Sequence, residues 1–488
     1  MGPRLVLATL LTLALAAPAS AAAPWSAPAD LGPPADYVEA PTLAFAPAGT
    51  GLAGWLVRAQ PADAGGLPGA IDVNYRGDND GYTSRIAAIG AGGALGAPRV
   101  LQGIDVAGPA LDAAGRGVVL RSQILASDPD ARRRQRVTWA TVSAQGAVGR
   151  AHPLLTATLT DPPSLAVDAR GDAVAAWSEY VAPKSRRALW GSFRVRAAFR
   201  RAGHGFGRPM TLFVTQALDY EHNGAVTAAI GRDGRALVAF ADARENPGRD
   251  RRAVYAWRRG DRGRFGPTMK VGPQHGFADV AATVTDSGRA VVAWGTQDGG
   301  EEANMPWVVY AASLGPHASK FGALQTLDPG GAVERPFGGV APASAPAGRV
   351  TVAWSAVRGG GPAGIAFPVM TATSDATGRF GPAQTVAPSG AVGGVAVRRD
   401  GTAIVTWATA RGIQQTTQAM AAIRAAGATA FGAPEAIADP DVAGPPAVAF
   451  DPVTGRPTVA WPARPGGVDP SMGVGPTAIL RVATRAAP

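Results

Sequence analysis

The stretch LAVDARGDAVAAW, residues 165–177, joins two short apolar runs through Asp168 and Gly171. Related stretches are ATVTDSGRAVVAW (282–294), VAVRRDGTAIVTW (395–407) and VAFDPVTGRPTVAW (448–461). Short runs rich in Val, Thr and aromatic residues, bounded by Gly, Pro and Asp, are typical of β-strands. The Asp side chain can accept hydrogen bonds from nearby backbone, and Gly tolerates a positive φ. The stretch therefore predicts a β-hairpin with a tight turn.

This hairpin recurs eight times when the chain is aligned on the Gly that lies six residues before the aromatic. Successive anchor glycines are 53 to 66 residues apart, and the second unit alone has Arg121 in place of the aromatic. The units run from Gly49 to Trp55, Gly115 to Arg121, Gly171 to Trp177, Gly234 to Phe240, Gly288 to Trp294, Gly348 to Trp354, Gly401 to Trp407 and Gly455 to Trp461.

Most units also contain two further strand-like segments, a second apolar run such as VRAAFRR from Val195 and a segment after a Phe-Gly turn such as FGRP at Phe206. Four short strands at a period of 50 to 60 residues are the pattern of a β-propeller blade, which buries its faces against its neighbours. The anchor tryptophans are then expected to pack between blades rather than to stack on a ligand.

The two ends of the chain are predicted to share one blade. The chain ends after the third segment of the eighth unit, AILRVATR (478–485), and begins with an unassigned fourth segment, WSAP, at Trp25. An N-terminal strand that completes the last blade would remove both exposed sheet edges. The prediction is one all-β domain over residues 24–487, an eight-bladed β-propeller of four-stranded antiparallel blades closed by the N-terminal strand, with seven blades as the alternative.

Residues 1–21 have the pattern of a secretory signal peptide. Arg4 precedes an apolar run from Leu5 to Ala17, and the small residues Ala19, Ser20 and Ala21 follow it. The run is shorter than the roughly 20 residues that a membrane-spanning helix needs. We expect cleavage after Ala21 and a secreted, extracellular chain without a membrane span.

The amino-acid composition and the absence of known motifs exclude several kinds of functional site. It contains no cysteine, which excludes disulfides, thiol catalysis and Cys-ligated metals. The net charge of +10 comes from scattered arginines, so we expect no nucleic-acid partner, and we expect a monomer. His152 and His204 are isolated along the sequence, and no phosphate loop, Gly-x-Ser-x-Gly or His-Glu-x-x-His motif is present.

The segments SLAVDARGDAVAAW (164–177) and FRVRAAFR (193–200) resemble the repeats of NHL-type and sialidase-like (BNR-type) secreted bacterial β-propellers. The resemblance covers nearly the whole mature chain and implies the propeller fold. The sialidase Asp-box places its Trp three residues after the Gly, whereas these units place the aromatic six residues after it. An Arg-Ile-Pro motif of the kind that opens sialidase active sites is absent from the sequence.

Polar side chains concentrate in the variable connections of the third and fourth units. Carboxylates combined with Tyr, His and Arg are what a carbohydrate-binding or glycoside-cleaving site uses, although loops are polar in any case. In a propeller these connections would open on one face in adjacent blades. The candidate ligand-binding residues are Glu179, Tyr180, Asp219, Tyr220, Glu221, His222, Asp242 and Arg244.

The insertion after Trp55 contains a candidate calcium loop, DVNYRGDNDG (72–81). Oxygen ligands at even spacings around Gly77 resemble a calcium-binding loop, and a solvated loop is the alternative. No other cofactor is expected. The candidate ligands are Asp72, Asn74, Asp78 and Asp80.

Two functions are compatible with this sequence. The first is an exported, non-catalytic binding or scaffold propeller that recognises a glycan, a peptide or a cell-envelope polymer through its variable-loop face. The alternative is a sialidase-like glycoside hydrolase or lyase. Because recognisable catalytic signatures are absent, the sequence favours the first, and no enzymatic activity is expected from it.

Overall fold

The computed structural model is all-β, and within the part of the chain that it describes every regular element is a strand. None of its described segments forms a helix long and apolar enough to cross a membrane. The described residues are 25–35, 37–58, 82–101, 110–127, 133–159, 162–182, 191–216, 225–242, 253–260, 263–274, 278–297, 307–330, 339–356, 358–359, 365–411, 415–437, 442–464 and 478–486.

The first half of the chain forms an N-terminal strand and four repeat units, each with four antiparallel strands. The strands are β1 (Ala29–Ala35); in unit 1, β2 (Tyr37–Phe45), β3 (Gly51–Arg58), β4 (Tyr82–Ile89) and β5 (Arg99–Leu101); in unit 2, β6 (Ala110–Leu111), β7 (Gly117–Ser127), β8 (Arg133–Val142) and β9 (His152–Leu159); in unit 3, β10 (Ser164–Val167), β11 (Ala173–Val181), β12 (Ser192–Arg200) and β13 (Met210–Gln216); in unit 4, β14 (Val226–Ile230), β15 (Ala236–Asp242), β16 (Ala253–Arg259) and β17 (Met269–Pro273).

The second half continues the same order, with one extra two-stranded hairpin inserted in unit 6. The strands are, in unit 5, β18 (Ala278–Val284), β19 (Ala290–Gln297), β20 (Trp307–Leu314) and β21 (Gln325–Asp328); in unit 6, β22 (Val340–Ser344), β23 (Val350–Ser355), the hairpin β24 (Arg358–Gly359) and β25 (Ile365–Ala366), then β26 (Val369–Thr373) and β27 (Gln384–Ala387); in unit 7, β28 (Ala391–Val397), β29 (Ala403–Arg411), β30 (Gln415–Arg424) and β31 (Glu435–Ala436); in unit 8, β32 (Ala447–Phe450), β33 (Pro457–Ala463) and β34 (Ala478–Thr484).

The turn of the recurring hairpin has the geometry that the sequence predicted. Gly171 has φ +91°, and all eight anchor glycines lie between +67° and +93°. In the unit 3 turn, Asp168 Oδ1 accepts the backbone N–H of Arg170 and of Asp172, each at 2.9 Å. The Gly171 N–H donates to the Asp168 carbonyl at 3.0 Å, which closes the turn. Asp and Gly therefore fix the reversal of the chain locally.

The anchor aromatics are core residues, as the sequence predicted. Trp177 and Trp294 have no exposed surface, and the other anchor tryptophans and Phe240 are at most 4% exposed. Trp294 of unit 5 packs among Leu237 and Val254 of unit 4. Its indole Nε1 also donates to the Pro273 carbonyl of unit 4 at 3.0 Å. Each anchor aromatic thus joins its own unit to the preceding one.

The hydrophobic core is divided into clusters that lie between consecutive units rather than inside them. Clusters join units 1 and 2, 2 and 3, 3 and 4, 4 and 5, 5 and 6, 6 and 7, and 7 and 8. A further cluster brings Leu480 and Val482 of unit 8 against Trp55 and Val57 of unit 1. Every unit therefore buries apolar surface against the next one, including the last against the first.

The N-terminal strand β1 lies beside the C-terminal strand β34. They pair antiparallel, with Ala29 opposite Val482 and Leu31 opposite Leu480, and Trp25 forms a bridge to Arg485. As the repeat count predicted, the N-terminal segment supplies the fourth strand of unit 8. The predicted signal peptide, residues 1–21, lies outside the described residues.

Units 2 and 3 differ from the prediction of separate four-stranded sheets, because their backbones pair directly. Strand β10 pairs with β11 only as far as Ala176, whereas β11 continues to Val181. The free edge of this extension pairs with β9, which places Glu179 opposite Leu159 and Tyr180 opposite Thr158. A second strand longer than its partner leaves backbone groups that a neighbouring strand can bind.

Candidate functional site

The structure describes three of the eight candidate residues of the variable loops. Glu179 and Tyr180 lie near the end of β11, and Asp242 is the last residue of β15. The other candidates, Asp219, Tyr220, Glu221, His222 and Arg244, lie outside the described residues, as do the candidate calcium ligands Asp72, Asn74, Asp78 and Asp80.

Glu179 is a buried carboxylate, 5% exposed, with donors on two strands. The Trp177 indole Nε1, two residues earlier on β11, donates to Glu179 Oε2 at 3.2 Å. Arg196 lies opposite Trp177 on β12, and its Nη1 lies 3.4 Å from Glu179 Oε1. The Arg196 Nη2 donates to the Pro209 carbonyl at 3.3 Å, which fixes the guanidinium. The charge of Glu179 therefore has a positioned counter-charge inside the protein.

Tyr180 does not join Glu179, because successive strand residues face opposite sides of the sheet. Its ring contacts Phe193 edge to face, with centroids 5.6 Å apart at 63°. Phe193 lies directly opposite on β12, and the two side chains form a small buried cluster of their own. The structure therefore gives Tyr180 an aromatic packing role on the other face.

Asp242 occupies in unit 4 the position that Glu179 occupies in unit 3, two residues after the anchor aromatic. Its side chain is 1% exposed. Units 3 and 4 are in direct contact. Ala176, next to the anchor Trp177 of unit 3, shares a hydrophobic cluster with Phe240, the anchor of unit 4. The corresponding residues of the other units carry no carboxylate: Val57, Gln123, Thr296, Ala356, Thr409 and Ala463.

Sequence reasoning missed the partners of these acids. Trp177 could have been found from the strand alternation, which places it on the same face as Glu179, whereas Arg196 also requires the register between β11 and β12. A related arrangement occurs between units 5 and 6. There the buried Asp328 Oδ2 accepts the anchor Trp354 Nε1 at 2.9 Å, and Arg358 Nη2 donates to Oδ1 at 2.6 Å. An anchor Trp thus brings its N–H to an acceptor near the loop end.

A cavity of about 700 Å³ lies at the other end of units 2 and 3, beside the hairpin turns. Asp112 and Arg200 line it, as do His152 and His204, which are far apart in the sequence. The two histidines are separated along the sequence, and the fold brings both to this cavity. The wall of the cavity includes Gly171. The cavity and Glu179 therefore lie at opposite ends of β11, roughly 25 Å apart at the usual strand rise.

Within the described ranges, no group of three or more His, Cys, Asp or Glu side chains is placed to hold a metal ion.

No family model matches the chain, and no curated protein sequence matches it. Among solved structures, the polysaccharide lyase Uly1 has a TM-score of 0.44 and 9% identity, over 76% of this chain and 88% of the lyase. The NanB sialidase of Streptococcus pneumoniae has a TM-score of 0.37 and 9% identity, over 93% of this chain and 68% of the sialidase. The α-L-arabinanase of Penicillium chrysogenum has a TM-score of 0.35 and 15% identity, over 66% and 92%.

The function expected from the sequence differs from what the names of these solved structures say of those proteins. A non-catalytic binding or scaffold protein was expected, whereas the similar solved structures are a lyase, a sialidase and an arabinanase. The expectation rested on missing motifs, and a missing motif says little about a site that a fold assembles from distant residues.

Proposed function

We propose that the protein is a glycan-cleaving enzyme built on an eight-bladed β-propeller. The observation that carries this proposal is the recurrence of a buried carboxylate, Glu179 and Asp242, at the same position of two neighbouring units. Both lie near the end of the second strand, where the variable connections begin. Glycosidic bond cleavage uses two carboxylates.

The propeller is supported by the way the eight units bury their surfaces. Core clusters join each unit to the next and join unit 8 to unit 1, and β1 pairs with β34. Eight such interfaces in sequence order account for eight blades rather than seven. A closed ring would also remove the free sheet edges that a linear array leaves exposed.

The surroundings of Glu179 favour the ionised role for this residue. Arg196 and the Trp177 N–H both donate to its carboxylate, so a negative charge is balanced there. In a hydrolase the ionised carboxylate acts as nucleophile or general base, and the second carboxyl group protonates the leaving oxygen. We propose that Glu179 and Asp242 supply these two carboxyl groups. Glu221, His222 and Arg244 remain predicted contributors from the loops.

The proposed substrate is an extracellular glycan, in keeping with the predicted signal peptide. Hydrolysis is favoured over elimination because the proposal rests on two carboxylates. The two reactions differ in their products, since a lyase leaves an unsaturated sugar that absorbs ultraviolet light and a hydrolase does not.

The test is to incubate the purified mature chain with a panel of neutral and acidic polysaccharides and measure the release of reducing ends. Replacing Glu179→Gln or Asp242→Asn should lower the rate on a cleaved substrate by about 100-fold or more, since general acid–base groups contribute about 100- to 10,000-fold. Both substitutions preserve side-chain shape, and circular dichroism checks that each variant is folded before its rate is compared.

Thr296→Val is the matched control, because Thr296 occupies the same buried position in unit 5. It should retain the wild-type rate. Absence of cleavage across the panel, or full activity in both carboxylate variants, would overturn the proposal. Ultraviolet absorbance that rises with the reducing ends would identify the reaction as elimination and replace the hydrolytic roles.

A further inference from the structure

The cavity between units 2 and 3 has a buried base and an exposed rim. Asp112, Trp139 and Arg200 are 3%, 7% and 7% exposed and form the base. His152 and His204 lie on the exposed rim. The His152 ring stacks on Trp139 with centroids 4.7 Å apart at 22°, which gives one wall a flat aromatic surface.

Two arginines and one carboxylate line this cavity within the described residues. The carboxylate, Asp112, is paired, because Arg116 Nε and Nη2 both donate to its Oδ2 at 3.0 and 2.9 Å. Arg200 lies near this pair, and no hydrogen bond joins its guanidinium to a carboxylate of the described segments. Burial lowers the pKa of Arg200 and the charge of Arg116 lowers it further, although nearby carboxylates oppose this. The cavity lining therefore carries one more guanidinium than carboxylate, and the nearby carboxylate of Asp172 also acts on Arg200.

Arg200 is also incompletely bonded. Its Nη1 donates to the Gly171 carbonyl at 2.9 Å, and its buried Nε has no hydrogen-bond partner among the described residues. Arg259 occupies the same position in unit 4, opposite the first residue of the second strand. There the Nη1 donates to Gly234, and the Nε donates to the Gly263 carbonyl at 3.2 Å. The same side chain thus has its Nε bonded in unit 4 and unbonded in unit 3.

We propose that this cavity binds a small ligand through an oxyanion group, with Arg200 and Arg116 as its main partners. A guanidinium Nε and its neighbouring nitrogens match the oxygens of carboxylate, sulfate or phosphate. The stacked Trp139 and His152 rings supply a surface for the rest of a ring-bearing ligand. The site lies at the opposite end of β11 from Glu179, so it does not depend on the proposed glycan cleavage.

The experiment is isothermal titration calorimetry of the mature chain with inorganic phosphate, glucuronate and glucose. Phosphate or glucuronate should bind with one-to-one stoichiometry, and glucose should not. Arg200→Gln should weaken that binding about tenfold or more, the usual consequence of losing a charge-assisted hydrogen bond. Arg259→Gln is the matched control and should bind as the wild type does.

Arg116→Gln is a second variant for the case in which Arg200→Gln fails to fold, because the Arg116 side chain is 66% exposed. It should also weaken binding, whereas Arg170→Gln on the neighbouring turn should not. Binding of glucuronate alone would identify a carboxylate ligand, and binding of both anions a general oxyanion site. The proposal is overturned if neither phosphate nor glucuronate binds, or if the Arg116→Gln and Arg170→Gln variants bind with equal affinity.

Discussion

The turns at Asp112 and Asp168 have the same backbone and different electrostatics. In each turn the Asp Oδ1 accepts two backbone N–H groups at 2.9 Å. The residue after the anchor Gly is Arg116 in the first turn and Asp172 in the second. Asp112 Oδ2 therefore binds a guanidinium, whereas the buried Asp168 Oδ2 has no partner within the described segments. Burial accordingly raises the pKa of Asp168.

The repeat motif therefore determines the backbone of the turn, and the residue after the anchor Gly determines whether the Asp has a charged partner. Both turns border the same interface, since the backbone N–H of Ala113 donates to the Ala169 carbonyl at 2.8 Å. Equivalent turns can therefore share the Asp and Gly that direct folding, while one of them borders a cavity lined by different charged side chains. Substitutions of the anchor glycines change what the two turns share, and substitutions of Arg116 and Asp168 change what separates them.

The largest effect should come from the anchor glycines that both turns share. Gly115→Val and Gly171→Val should each destabilise the protein by about 1–3 kcal/mol, because a β-branched residue is strained at positive φ. The added Cβ would lie 3.0 Å from Asp112 Oδ2 at Gly171, and 3.0 Å from both Ala144 Cβ and Thr50 Oγ1 at Gly115, so the two losses should be similar. Urea unfolding measures both. Wild-type stability in either variant would contradict the role of positive φ.

A smaller effect should come from making the first turn resemble the second. Arg116→Gln removes the guanidinium from Asp112 and should lower the free energy of unfolding by about 1 kcal/mol or less, because Arg116 is largely exposed and such pairs are weak. Arg170→Gln changes the net charge equally on an exposed position of the second turn and should leave stability unchanged. Equal losses in the two variants would show that net charge, not the Asp112 pair, is responsible.

The smallest effect should be a pH dependence from Asp168. Its raised folded-state pKa means that the native state holds the proton more tightly than the unfolded chain. As pH rises from the unfolded value of about 3.9 through the folded pKa, this residue should therefore lower stability, and the loss persists at neutral pH. Thermal unfolding from about pH 4 to about pH 7 should show Asp168→Asn gaining stability relative to wild type as pH rises.

Asp112→Asn is the control for that titration, because its carboxylate has a guanidinium partner. This variant should lose stability relative to wild type at neutral pH rather than gain it. A flat difference between wild type and Asp168→Asn across the pH range would contradict the assigned cause.

The candidate glycan site was only partly visible in the sequence. Glu179 and Asp242 were identifiable as polar residues just after an anchor, and their shared position could be read from the alignment of the repeats. The sequence grouped Tyr180 with them, but the strand alternation turns it to Phe193 on the other face. Arg196 was missed because its approach to Glu179 depends on the register between β11 and β12.

The sequence alone determined the strands, their turns and the number of units, because each signal lies within a short stretch. An Asp and a Gly reverse the chain locally, and an apolar run with a terminal Trp demands burial wherever it occurs. The tertiary structure decided which groups meet across an interface. Asp112 and Arg200 come from different units and line one cavity because units 2 and 3 pack together. That outcome depends on contacts between residues far apart in sequence, which no local pattern encodes.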